Sequence, residues 1–398
     1  MRFDYTIMAM RKRCSETHAA TGSAAANLRS SCWNRHVAWI VVAALLMFVL
    51  AGSGTACFVC VVPYQSLLDK VEESEQVVVA RALDSAQSEW QIVRILRGRG
   101  DNQLETPSVT QDANHTKSGG LQLLRRSIGD DPWTNEGAID QQLLRFLSGA
   151  VALSSSRSAS SSVRQQSQAL RYFLPYLEHK DPQIADSAYN KIARAPYKVI
   201  RNLGEELEPD QLLEWINSPQ IPPQRRSLYI TLLGFCGRER DAQLISQWID
   251  LRWKKGKSAD LTALLAAHAE LSGEDTIRFI EQSYIKDRGR KLDEIISAVD
   301  ALRLHGQAEG NIPRARILVS FNLLLHERPA LAELIIEDCT RWQEWSFAPR
   351  LMELYAGGQQ PWNNALIIKY LETCPLPTAK RFLDSRDLAT QQAAKTSN

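Results

Sequence analysis

Residues 170–197, LRYFLPYLEHKDPQIADSAYNKIARAPY, decide how the rest of this 398-residue chain is read. A leucine-rich run (Gln168 to His179) and an alanine-containing run (Gln183 to Ala195) flank Asp181-Pro182. Asp suits a helix cap, and Pro suits the first helical position, where no backbone N–H is needed. The stretch therefore predicts two helices joined by a tight turn. Downstream the pattern stays helical, over Tyr197 to Leu207, Asp210 to Ile216, Gln224 to Cys236, Ala242 to Trp253, Leu261 to Leu271 and Asp275 to Tyr284. It continues over Leu292 to Leu304, Arg314 to His326, Ala330 to Trp342, Pro349 to Tyr355 and Asn363 to Thr373, with no strand signal between.

A repeat runs through this array. Gly204, Gly237 and Gly273 lie 33 and 36 residues apart, and eleven positions after each comes an aromatic followed by isoleucine: Trp215-Ile216, Trp248-Ile249, Tyr284-Ile285. Glycine ends many helices without any repeat. Recurrence of the aromatic-Ile pair in three units favours a repeat of paired helices, whose apolar faces are buried only against neighbouring units. The expected fold class is mainly α, an α-solenoid of helix pairs over residues 163–385 with a disordered tail at 386–398.

Upstream the pattern differs. Tyr64 to Glu75 reads as a short amphipathic helix with Leu67, Leu68 and Val71 on one side. Val77 to Leu83 and Trp90 to Leu96, rich in β-branched residues and joined by a polar turn, read as strands, and Leu121 to Arg125 as a third. Two strands alone are marginal, so a small sheet packed on something else is the minimum unit. The expected organisation is a small β-rich domain over 57–135, then 136–162 as a helix (Ala138 to Leu153) and a serine-rich linker (154–162).

From Val37 to Leu68 the chain has no charged residue, and residues 37–56 are apolar enough to be a transmembrane or signal segment. The leader, residues 1–36, carries six Lys and Arg against Asp4 and Glu16, while acidic residues follow the apolar stretch. The positive side stays in the cytoplasm, so the bulk of the chain is expected in the periplasm or otherwise outside a bacterial inner membrane. Retained anchor and cleaved signal both fit, because Gly54 and Ala56 precede Cys57 as small residues of a cleavage site. The formal charge of the whole chain is +2. With the basic leader set aside, the remainder is slightly acidic and shows no basic stripe, which argues against nucleic acid as a partner.

The 170–197 stretch resembles a HEAT-type repeat, with its leucine-rich first helix, Asp-Pro turn and alanine-containing second helix. The whole layout resembles an uncharacterised family of bacterial envelope proteins, which join an export segment, a Cys-x-x-Cys, a small β-domain and a HEAT-like array. That resemblance implies architecture and location, and brings no activity.

Cys57-x-x-Cys60 is the motif with chemical potential. Its first thiolate could be acidified for thiol-disulfide exchange, yet no βαβ pattern surrounds it and no further ligand pair completes a zinc site. A local disulfide in an oxidising compartment is the plainer reading. Cys236, Cys339 and Cys374 read as small buried residues. His268 could face a groove, and His305 and His326 fall at helix ends, where a cation is favoured. Glu205, Glu206, Glu208 and Asp210 cluster at a helix start, a weak calcium candidate. No nucleophile elbow, phosphate loop or metalloprotease helix is present. Trp342, Trp345, Phe347 and Trp362 crowd the end of the array, and Trp345 and Trp362 are candidate anchors of a partner surface. The function expected is that of a membrane-tethered, non-enzymatic scaffold for a protein partner, with no cofactor. Thiol chemistry through Cys57 and Cys60, or a purely structural envelope role, are the alternatives.

Overall fold

The computed structural model describes residues 65–83, 90–98, 109–110, 120–127, 132–155, 161–308 and 310–396. The expected export segment 37–56, together with Cys57 and Cys60, lies outside them. Among the described residues no helix is long and apolar enough to cross a membrane.

Helix α1 (Leu67–Glu73) starts at a capping box in which Ser66 and Asp69 satisfy each other's free groups, and it buries Leu67, Leu68 and Val71. A small sheet follows, in the order β2-β1-β4-β5-β3. β1 (Gln76–Ala82), β2 (Trp90–Arg97), β4 (Leu121–Arg126) and β5 (Trp133–Ala138) are antiparallel neighbours, and the two-residue β3 (Val109–Thr110) lies parallel to β5. Because side chains alternate across a strand, Val77 and Val79 of β1 join Leu123 in the main core. Val78 and Ala80 turn to the other face, with Trp90, Leu124 and Trp133. A central strand buried on both faces needs the continuous apolar run that VVVA supplies.

No local pattern predicts β5. WTNEGA lacks alternation, and the strand is held by pairing with β4 and by Glu136, which accepts from Lys70 at 2.7 Å and Arg125 at 2.5 Å. Burial works against the Glu136 charge, but these two cations outweigh it and hold its pKa below the usual value.

Helix α2 (Gln141–Ser155) begins at Asp140, whose carboxylate accepts from the backbone N–H groups of Gln142 and Leu143 at 2.9 and 2.8 Å. It packs against β2 and α1 and carries Phe146 into a cluster with Tyr172, Phe173 and Tyr176. One apolar cluster runs from the sheet through α2 into the helices beyond. The expected limits at 135 and 162 therefore do not separate two cores.

The helical part comprises α3 (Val163–Arg171), α4 (Pro182–Ala193), α5 (Tyr197–Arg201), α6 (Pro209–Asn217), α7 (Pro223–Cys236), α8 (Glu239–Lys255), α9 (Leu261–Ser272) and α10 (Glu274–Ile280). It continues with α11 (Leu292–Ala308), α12 (Arg314–Glu327), α13 (Glu333–Arg341), α14 (Ala348–Gly357), α15 (Asn364–Thr373) and α16 (Pro377–Thr396). The expected helix Gln168 to His179 is shorter and earlier, because Pro175 has no N–H for the Arg171 carbonyl and its ring crowds that position. A short 3₁₀ turn, Leu174–Tyr176, replaces the missing turns. Residues 386–396, expected as tail, continue α16.

Odd-numbered helices from α3 to α15 touch in consecutive order, and the even-numbered helices from α6 to α16 lie against them. The Gly-to-aromatic spacing marks this outer layer. Ile216 on α6, Ile249 on α8 and Ile285 in the π-helical turn after α10 are all buried, and Trp215 meets Tyr229 of α7 at 5.1 Å. The inner row curls back on itself, so that α5 also touches α11. As a result α9 is buried over most of its surface: Leu261, Ala263 to Ala267 and Ala269 have almost no exposure, while His268 and Ser272 stay half-buried. A helix apolar all round belongs in such an interior. Gly234 of α7 allows the closest approach, since a Cβ there would lie 2.6 Å from the Ala267 Cα.

Candidate functional site

Where the inner row has not yet closed, a cleft of about 560 Å³ opens between α3, the end of α5 and the end of α7. Its first wall is the polar face of α3. A capping box between Ser162 and Gln165 starts that helix, with the Gln165 N–H donating to Ser162 Oγ at 3.3 Å. Ser167 pins it to α5, its hydroxyl 2.8 Å from the Val199 carbonyl. Arg164, Gln168 and Arg171, spaced four and three apart, then share the side facing the cleft. Opposite stand Arg201 and Asn202 at the end of α5, Glu205, and the Phe235 ring. The turn carrying Glu205 lies so close to α7 that a Cβ on Gly204 would meet the Phe235 carbonyl oxygen at 2.6 Å, which only glycine avoids.

Arg201 links this cleft to the buried polar cluster that closes the row. Its Nε donates to Glu270 Oε2 at 3.0 Å, and its Nη2 to Asn311 Oδ1 at 2.6 Å. Tyr197 donates its phenolic O–H to Glu270 Oε1 at 3.3 Å. Beyond it lies His305 of α11, 1% exposed, with Nε2 at 3.1 Å from the Ala266 carbonyl and Nδ1 at 3.6 Å from Glu270 Oε1. Nε2 must carry the proton to face a carbonyl, which leaves Nδ1 as a lone pair with no hydrogen-bond partner. Burial pushes the His305 pKa down, helped by Arg201 and opposed by Glu270 and the Ala266 carbonyl. The histidine is in the last helical turn as expected, yet it is neutral and enclosed, so a cation at a helix end does not explain it. Four side chains from α5, α9 and α11 thus form one clasp.

A second groove of about 380 Å³ is lined by Glu239, Gln243, Ser246, His268 and Ser272. His268 does face a groove, as its position suggested. Its Nδ1 lies 2.7 Å from Thr276 Oγ1 and burial lowers its pKa, so it is a neutral, hydrogen-bonded structural residue.

Two members of the acidic cluster are engaged in ion pairs. Glu206 meets Arg171 at 2.7 Å, and Asp210 pairs with Arg240. Among the described residues no group of three or more His, Cys, Asp or Glu is arranged to hold a metal ion. Cys339 and Cys374 are buried and Cys236 half-buried, all three as free thiols, and burial pushes the Cys236 thiol up to about 12, away from reactivity.

Trp345 and Trp362 occupy different settings. Trp345 is half-buried against the Tyr370 ring at 5.2 Å. Trp362 is 55% exposed, and its Nε1–H donates to the Ala330 carbonyl at 3.0 Å, which fixes the ring with a face toward solvent. Trp342 stacks on Phe321 at 5.6 Å and Phe347 is buried, so both are packing residues.

Sequence reasoning did not single out Arg201 or Glu270. A signal existed: Glu270 is the one carboxylate in the mostly apolar LTALLAAHAELS of α9, and a charge that must be buried needs a partner. Compared with family models, curated proteins and solved structures, the chain matches none.

Proposed function

We propose that this protein is a binding scaffold of the bacterial envelope, tethered outside the inner membrane by residues 37–56, whose helix pairs form a short HEAT-like α-solenoid. The observation that carries this reading is the order of contacts in the helical part: each odd-numbered helix meets the next, one outer layer covers them, and a polar cleft remains on the unclosed end. Stacked helix pairs of this kind present extended surfaces for partners rather than catalytic centres. Trp362, with its N–H satisfied and its ring exposed, adds an aromatic anchor at the far end of the array.

The tether would be short. Ser66 is buried at the start of α1, and nine residues separate it from the end of the apolar segment. Such a length spans at most about 35 Å fully extended.

Cross-linking in intact cells followed by pull-down of the full chain tests the reading, with Cys57 and Cys60 both replaced by serine. Defined partners retained by the serine variant support a scaffold. Partners or effects lost with the cysteines support thiol chemistry in its place.

A further inference from the structure

We propose that the cleft between α3, the end of α5 and α7 binds an extended acidic segment of a partner protein; this rests on the scaffold reading above. Arg164 is exposed, lines the cleft and makes no hydrogen bond or ion pair among the described residues. The Arg171–Glu206 pair is largely exposed, at 47% and 32%, the kind of surface pair worth at most about 1 kcal/mol and therefore easily exchanged. Arg201 is held by Nε and Nη2, and its Nη1 makes no bond among the described residues. Guanidinium groups suit carboxylates because the planar fork matches two oxygens at once.

The shape of the cleft selects among anions. Arg164 and Arg171 are seven residues apart on one helix, so about 10 Å apart along its axis. A peptide extended as polyproline II advances about 3.1 Å per residue with three residues per turn, so acidic side chains three residues apart share a face and match that spacing. A single phosphate group would satisfy only one of these positions. Between the arginines, the Gln168 and Asn202 amides can pair with peptide backbone groups. Glu205, the acid in the lining, opposes carboxylates and sets a sign for the test.

The test uses the full chain in lipid nanodiscs and a fluorescent peptide with glutamates at every third position, separated by glycines. The lysine counterpart and inorganic phosphate serve as competitors. Saturable binding that weakens with salt is expected. Loss of one charge-assisted contact in Arg164→Glu should weaken it by at least about tenfold. Glu205→Gln should tighten it several-fold, and neither exposed substitution should shift the thermal midpoint. Absence of saturable binding, affinity indifferent to both substitutions, or displacement by phosphate at stoichiometric amounts would overturn the proposal. Cross-linking of partners by Arg164→Glu chain separates the two claims. Partners retained by that variant after it has lost the peptide would leave the scaffold reading standing without this cleft, partners lost together with the peptide would support both claims, and a parent chain that retains no partner would remove the scaffold reading.

Discussion

Helices α3 and α9 belong to the same inner row yet have opposite surroundings. α9 is wrapped by α7, α8, α10 and α11, while α3 touches α5 on one side and turns Arg164, Gln168 and Arg171 to an open cleft. The difference is written in composition: LTALLAAHAELS has apolar residues on every side, whereas VRQQSQALR has a polar face. A row of helices can thus be closed in one half and open in the other. The single acid of α9, Glu270, is satisfied by residues from the helix where the closure begins.

Substitutions should separate the two halves by size of effect. Leu264→Ala on α9 removes a fully buried side chain where nothing can collapse, and should cost about 2–5 kcal/mol in denaturant unfolding. Glu270→Gln keeps the shape but weakens the carboxylate that Arg201 and Tyr197 share, and should cost about 1–3 kcal/mol. If that variant proved as stable as the parent, the clasp would not hold the row closed.

His305 gives the closed half a pH signature. Its folded pKa lies below the ordinary 6.5, so the folded state keeps it neutral while the unfolded chain takes up a proton as pH falls through that value. The unfolded state then binds more protons, so stability should decrease from pH 7 toward 5. Glu270, Arg201 and Tyr197 are the charged or titratable groups that face it. His305→Gln should flatten that part of the profile, read as thermal midpoint against pH. An unchanged slope would show that His305 titrates normally in the fold. The smallest effect belongs to the open half: Gln168→Ala on α3 should stay within about 0.5 kcal/mol of the parent.

Much of this was legible in the sequence. Pro182 after Asp181, the two β-branched runs and most of the periodic helices fall within a few residues of the observed elements, while the expected helices 168–179 and 197–207 end eight and six residues early. Four features were not. β5 depends on partners, since Glu136 needs Lys70 and Arg125 to make WTNEGA a strand. Helix α16 has a polar sequence with little apolar patterning, and it is held by packing on α15 and α14, with Phe382 against Tyr355 at 5.6 Å. The cleft arises because residues 164, 201 and 235 are brought together by the curl of the row, which no local pattern encodes. The shared core of sheet and helices was hidden for a similar reason. Asp69 of α1 accepts from Asn190 at 3.0 Å and pairs with Arg194 at 2.7 Å, both on or beside α4 and far away in sequence.

Amide hydrogen exchange of the intact chain, resolved by peptide, tests the contrast between the two halves most directly. The account predicts that amides of 261–272 exchange only with global unfolding and that those of 163–171 open by local fluctuations orders of magnitude sooner. Equal protection of the two segments, or faster exchange in α9, would contradict it.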